Sequence, residues 1–79
     1  MNNAEYLKLS NIGEGKKVLI KDIKDVQLKT FFAQLGIFVG QEVYVSKIAP
    51  FGSPIALNTV GIEIAVRKED AERVEVELV

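Results

Sequence analysis

Asp25-Val26-Gln27-Leu28-Lys29-Thr30-Phe31-Phe32-Ala33-Gln34-Leu35-Gly36-Ile37-Phe38-Val39-Gly40 carries the one sustained helical period in this chain. Leu28, Phe31, Phe32 and Leu35 fall at i, i+3, i+4 and i+7, which is a single helix face. Gln27, Lys29, Thr30 and Gln34 fill the wet side. Asp25 stands where an N-cap carboxylate would accept from the first free backbone amides. Gly36 occupies the position that a left-handed residue takes past a helix end, and Ile37 follows as its apolar partner. The spacing predicts a helix over about residues 26–35. Its apolar face reads as core cover more readily than as a partner groove, because a short helix owes its stability to packing. Gly40, after Val39, closes a tight turn.

On both sides of this helix the period changes to two. Before it, Lys17–Ile23 alternates, with Val18 and Ile20 on one face and Leu19 and Ile23 on the other. Ser10-Asn11-Ile12-Gly13-Glu14-Gly15 turns the chain into that strand, and Tyr6, Leu7 and Leu9 form an apolar lead-in. After it, Glu42–Ile48 sets Val43 and Val45 inward against Tyr44 and Ser46. Ala49-Pro50-Phe51-Gly52-Ser53-Pro54 is a loop, since a central strand excludes prolines. Residues 55–60 return as a strand that Gly61 breaks or bends. Residues 62–67 alternate again, residues 68–72 form a short helical turn, and Val74, Val76 and Leu78 alternate with Glu75 and Glu77. Five short strands at this spacing predict an all-β fold, a small closed or nearly closed barrel. Closure hides the edges such strands would otherwise expose. The 79 residues, 48% of them apolar, make one domain over 1–79, with residues 1–5 frayed.

Composition excludes several functions. Without cysteine the chain has no disulfide, thiolate metal site or redox pair, and without histidine it lacks the commonest general base and transition-metal ligand. Ser10, Thr30, Ser46, Ser53 and Thr59 therefore have no activating base, and no catalytic residue or cofactor is expected. Ten basic and eleven acidic residues are interspersed for a net charge of −1, against the basic field that nucleic-acid binding requires. No apolar run can span a bilayer. The opening Met1-Asn2-Asn3-Ala4-Glu5 lacks a basic start and an apolar core, so it is not read as a secretory signal, and a cytoplasmic location is expected.

Three places carry residues that could support chemistry or binding. Glu69, Asp70 and Glu72, extended by Glu75 and Glu77, offer only carboxylates. These hold iron(II) weakly unless preorganised, so a solvated charged turn is the preferred reading. Gly13-Glu14-Gly15-Lys16-Lys17 faintly echoes a phosphate loop, but a strand follows instead of a helix. The proline-flanked loop is the strongest candidate. Phe38, Pro50, Phe51 and Pro54 are apolar residues in segments that run along the surface, and Ile37 adjoins Phe38. They are the candidate partner-binding residues; the competing reading folds Phe51 back onto the barrel end.

The ordered set of these features resembles the ferrous iron transport protein A (FeoA) family over roughly residues 7–77. Leu9 to Gly15 resembles its opening strand and glycine turn. Residues 32–40 resemble its helix end, in which an apolar residue precedes Gly-apolar-x-Pro-Gly. Residues 43–45 and 49–55 resemble its hairpin with a proline-flanked tip. Residues 61–67, Ala71 and Val74-Glu75-Val76 resemble its closing strands around a short helical turn. Val39 stands where the family usually has proline. Lys29, Thr30 and Phe31 stand where an arginine is often seen, so no role of that arginine is carried over. The resemblance implies an SH3-like five-stranded barrel with one inserted helix. It implies a free-standing cytosolic accessory of ferrous iron uptake whose partner is the membrane iron permease with a GTPase domain. Weak self-association stays open. The same fold occurs in iron-dependent repressors, whose DNA-binding and metal-sensing domains this chain lacks. The rival reading is a small nucleic-acid-binding barrel or a generic protein-interaction module. A reader of RNA would cluster lysine and arginine around stacking rings.

Overall fold

The computed structural model describes residues 6–79; the frayed start expected for residues 1–5 lies outside them. The elements are β1 (Leu7–Lys8), a 3-10 turn (Leu9–Asn11), β2 (Lys17–Ile23), α1 (Val26–Gln34), β3 (Glu42–Ile48), β4 (Ile55–Thr59), β5 (Ile62–Val66), α2 (Lys68–Ala71) and β6 (Val74–Leu78). All strand pairs are antiparallel, in the order β1-β6-β2-β3-β4-β5. This is the small SH3-like barrel the sequence predicts, with the helix inserted between β2 and β3. The barrel is not closed, because β1 and β5 end the sheet without pairing to each other. The sixth strand, β1, is two residues that pair Leu7 with Val76 and Lys8 with Glu75. It is too short to carry a period. No helix among the described residues is long and apolar enough to cross a membrane.

The ends of α1 follow the sequence. Asp25 Oδ1 accepts from the Leu28 amide at 3.0 Å. At the other end the Ile37 amide donates to Phe32 O at 2.9 Å and the Gly36 amide to Ala33 O at 3.0 Å, with Gly36 at φ +84°. This is the paired bonding of a left-handed helix stop, and it drives Ile37 into the core. A β-carbon at Gly36 would meet nothing within 4 Å, so any penalty there is conformational. We expect Gly36→Ala to lower stability by about 1 kcal/mol, read as a shifted urea midpoint; an unchanged midpoint would refute the assigned helix stop.

Only half of the predicted helix face is buried. Leu28 and Phe32 are in the core, Leu35 is half-buried, and Phe31 stays 48% exposed. Residues 28 and 32 lie four apart and stack along one line, while Phe31 lies a fifth of a turn or more off that line, at the rim. A helix of nine residues on a small curved sheet covers a narrow stripe.

Two bulges curl the sheet. In β2 the register slips between Ile20, opposite Val76, and Asp22, opposite Glu75. The extra residue, Lys21, returns Ile23 to the face of Val18 and Ile20, and all three are buried. The alternation that assigned Ile23 to the opposite face is corrected by this inserted residue. In β3 the register slips between Val45 and Lys47. Along the rim, Lys24 bridges Asp22 at 3.0 Å and Glu75 at 3.7 Å. Its hydrogen bond holds the Asp22 carboxyl below its ordinary pKa, and the Asp22 carboxylate raises that of Lys24.

Gly61 breaks the strand, as half of the two-residue hairpin loop between β4 and β5. Thr59 pairs with Ile62, and between them Val60 has φ +45° and Gly61 φ +79°. A turn with two positive φ values matches the twist of the strands it joins and selects Asn-Gly or Asp-Gly. A β-branched valine is strained there, and its side chain is 86% exposed. Val60→Asn should therefore raise stability by about 1 kcal/mol in chemical denaturation. A loss would mean that the valine holds the turn through contacts that outweigh its strain.

Candidate functional site

The carboxylates of α2 do not converge. Glu69 and Glu72 are exposed, and Asp70 Oδ1 lies 4.0 Å from Arg73 Nη1. Among the described residues no three of His, Cys, Asp and Glu gather as a metal cluster. The glycine turn at residues 13–15 is strapped to β3. The Gly15 amide donates to Val45 O at 2.8 Å, and Glu14 Oε2 accepts from the Ile48 amide at 2.6 Å. With β2 following at Lys17, it is a strand-entry turn.

The loop from Ala49 to Pro54 is a pinned tip. The Gly52 amide donates to Ala49 O at 2.7 Å and the Ala49 amide to Pro54 O at 3.1 Å. Ser53 Oγ accepts from the Lys68 amide at 3.1 Å, which ties the tip to the start of α2. Gly52 has φ +89°, so the chain reverses beside the ring. Phe51 is 97% exposed, and Pro50 and Pro54 are exposed beside it. Phe51 therefore does not fold back onto the barrel. A shallow hollow of about 220 Å³ lies beside the tip, between Lys47, Ala49, Pro50, Pro54 and Ala56.

The other two candidate residues lie elsewhere. Ile37 is 1% exposed and belongs to the core, so it is corrected out of the candidate surface; the helix stop that exposes Phe38 is what buries it. Phe38 is 56% exposed, but it stands at the opposite end of the β3–β4 ladder from the tip. The ladder runs from Tyr44 opposite Asn58 to Ile48 opposite Ile55. Glu42 to Ile48 is six residue steps, about 20 Å of extended chain. Tip and Phe38 are thus two sites.

At its own end Phe38 meets two apolar residues that the sequence did not single out as candidates. It shares with Tyr44 and Val60 a cleft of about 620 Å³, floored by Val43 and rimmed by Lys17, Glu42 and Asn58. Lys17 and Glu42 face each other at 3.9 Å. Gln41 fixes the cleft's corner: its Oε1 accepts from the Phe38 amide at 3.2 Å, and its Nε2 donates to Thr59 Oγ1 at 2.9 Å. The signal for this cleft was present as Val60-Gly61, a hairpin pair with a bulky residue where asparagine is usual.

The chain is similar to several solved structures. The FeoA-like protein from Clostridium acetobutylicum, solved by NMR, aligns with 98% of this chain and 91% of its own, at 28% identity and a TM-score of 0.85. Iron(II) transport protein A from Clostridium thermocellum is 31% identical, with a TM-score of 0.84 over 92% of this chain and 46% of its own. The manganese regulator SloR is 20% identical, with a TM-score of 0.82 over 94% of this chain and 35% of its own, a likeness of fold alone. Comparison with curated protein sequences finds no match. The family model described as FeoA domain matches residues 7–78, which includes every described strand and both helices. On that match the chain belongs to the FeoA family, which is associated with ferrous iron transport.

Proposed function

We propose that this chain is a non-catalytic, cytoplasmic accessory module of ferrous iron uptake, and that it docks on the membrane iron permease with a GTPase domain. The observation that carries the reading is the proline-flanked tip, where Phe51 stands 97% exposed on a hydrogen-bonded loop. A protein does not hold a bare aromatic ring in water for stability, since burial is what rewards it. A ring already fixed in place loses little entropy when a partner covers it. Membership of the FeoA family supports the iron-uptake setting. The lack of histidine and cysteine supports a role without chemistry.

The purified chain should capture the permease from a membrane extract, with and without GTP as the two arms. No capture in either arm would overturn the assignment of partner. Against the nucleic-acid reading, basic groups near rings are countered by acids: Lys21, 5.5 Å from the centroid of the Tyr6 ring, bridges Glu77 at 3.8 Å. Tyr44 has one lysine beside it, Lys17, and that lysine is paired with Glu42.

A further inference from the structure

We infer that the chain forms a two-fold dimer in which β5 of one copy pairs antiparallel with β5 of a second, Ala65 against Ala65 at the centre. β5 ends the sheet, and only β4 pairs with it. The two-residue loop at Val60-Gly61 decides which way its backbone groups point. Thr59 and Ile62 flank that loop and exchange the first pair of ladder bonds, so residues 62, 64 and 66 bond to β4. Glu63 and Ala65 turn their amides and carbonyls off the edge, and among the described residues no bond outside the ladder takes them up. An edge left in this state is a template for another strand. β5 has no proline, its register with β4 runs without a bulge, and Ala65 at its middle is small and exposed.

Charge selects both the occupant and the register. Glu63 and Arg67 are exposed, and neither stands in a salt bridge among the described residues. Glu63 accepts from Ser46 Oγ at 3.2 Å. Asp70, which shares a hollow with Arg67, lies instead against Arg73 at 4.0 Å. Four residue steps of extended chain, about 13 Å, separate Glu63 from Arg67, so the two do not pair within one copy. With Ala65 at the centre, Glu63 faces Arg67 of the second copy and Arg67 faces its Glu63, two opposite-charge pairs across the new ladder. The adjacent registers that also match the backbone groups lose both pairs. Centring on Glu63 sets two carboxylates against each other, and centring on Ile64 sets Glu63 opposite Ala65. The strand is its own complement in one register.

Packing adds to the same pairing. Phe31, 48% exposed on α1, lines with Ala65 and Val66 a hollow of about 420 Å³ beside the edge. The added strand sets Ile64 of the second copy opposite Val66, next to that hollow, so Ile64 and the half-bare Phe31 ring lose water together. The two Ala65 residues exchange two backbone bonds, and each Arg67 amide meets the Glu63 carbonyl opposite it. The contact uses the same patch on both copies, so it closes at two and leaves no free end. One short strand buries little area, which places the association at the weak end of protein contacts. The inference does not rest on permease docking, since Phe51 takes no part in it.

The test is a charge swap, read by sedimentation equilibrium and by amide hydrogen exchange over a concentration series. Wild-type chain should pass from monomer to dimer and no further, and the Glu63 and Ala65 amides should exchange more slowly as it does. Glu63→Arg sets arginine against arginine, and Arg67→Glu sets carboxylate against carboxylate; each should weaken the dimer at least about tenfold. The double variant carrying both changes should associate as the wild type does, because the swap restores both pairs. Ala65→Pro removes the central donor without removing a bond to β4, and it should be a folded monomer, its fold checked by the amide spectrum. Phe51→Ala should dimerise like the wild type, so this contact and the docking tip are read separately. A wild type that stays monomeric throughout overturns the inference. So does a double variant that pairs no better than the single ones while the wild type dimerises, since the contact would then lie elsewhere.

Discussion

Phe32→Ala should cost 3–5 kcal/mol, the usual loss for a phenylalanine truncated in a core. Phe32 is wholly buried beneath α1, and its carbonyl accepts the bond that ends the helix. Marginal stability of about 0.05–0.15 kcal/mol per residue gives a chain of 79 residues roughly 4–12 kcal/mol in all. The variant should therefore lose about a quarter or more of its stability, and at the lower end of that range it should fail to fold at room temperature. Its neighbour is the control. Phe31 is the same residue type on the same helix, its ring 6.2 Å away between centroids, but 48% exposed. Phe31→Ala should cost under about 1.5 kcal/mol, because roughly half of its transfer energy is never gained. Urea titrations of both variants decide the matter. Equal losses would mean that the helix packs through both rings.

That pair also marks where the sequence stopped being legible. Period and capping residues placed α1 almost to the residue, since Asp25, Gly36 and Ile37 act through local backbone bonds that spacing alone implies. Spacing also placed Leu28, Phe31, Phe32 and Leu35 on one face. How wide a stripe of that face is covered depends on the curvature of the sheet beneath it. That curvature comes from the bulges in β2 and β3, which inserted Lys21 and Ser46 without a sequence signature. The same slip brought Ile23 inward against the strict alternation. β1 was invisible for a different reason, since two residues carry no period.

The candidate site was legible by residue type but not by position. Apolar residues in turns identified Phe38 and Phe51, and both are exposed. Ile37 carried the same signal and is buried, because the left-handed Gly36 aims the next residue at the core. Tyr44 carried no signal along the chain, and Val60 carried only that of a bulky residue before a turn glycine. They joined Phe38 only when the ladder set residue 44 opposite 58 and the hairpin folded residue 60 back beside them. Sequence neighbours Ile37 and Phe38 thus parted, one to the core and one to the surface, and residues sixteen apart, Tyr44 and Val60, came to one cleft.

Phe51→Ala should leave the fold intact and weaken permease capture by at least about 2 kcal/mol, roughly thirty-fold in affinity. The two halves of this expectation rest on separate observations. Stability is spared because the ring is 97% exposed and touches no core residue's space, so the change counts as a surface substitution, within about 0.5 kcal/mol. The tip keeps its shape because its bonds run through the backbone of Ala49, Gly52 and Pro54 and through Ser53 Oγ, none of which involves the ring. Binding suffers because an aromatic anchor on a stiff loop contributes its apolar area without first being ordered. Ser53→Ala serves as the companion variant. It removes the acceptor for the Lys68 amide and loosens the tip while leaving Phe51 in place. It should weaken capture by less than the loss of the ring, through entropy alone. Melting temperature and capture yield are measured together for both variants. A large drop in melting temperature for Phe51→Ala would show that the ring supports the barrel in solution. Unchanged melting with unchanged capture would move the docking surface to the Phe38 end, where Phe38→Ala and Tyr44→Ala should then show the loss.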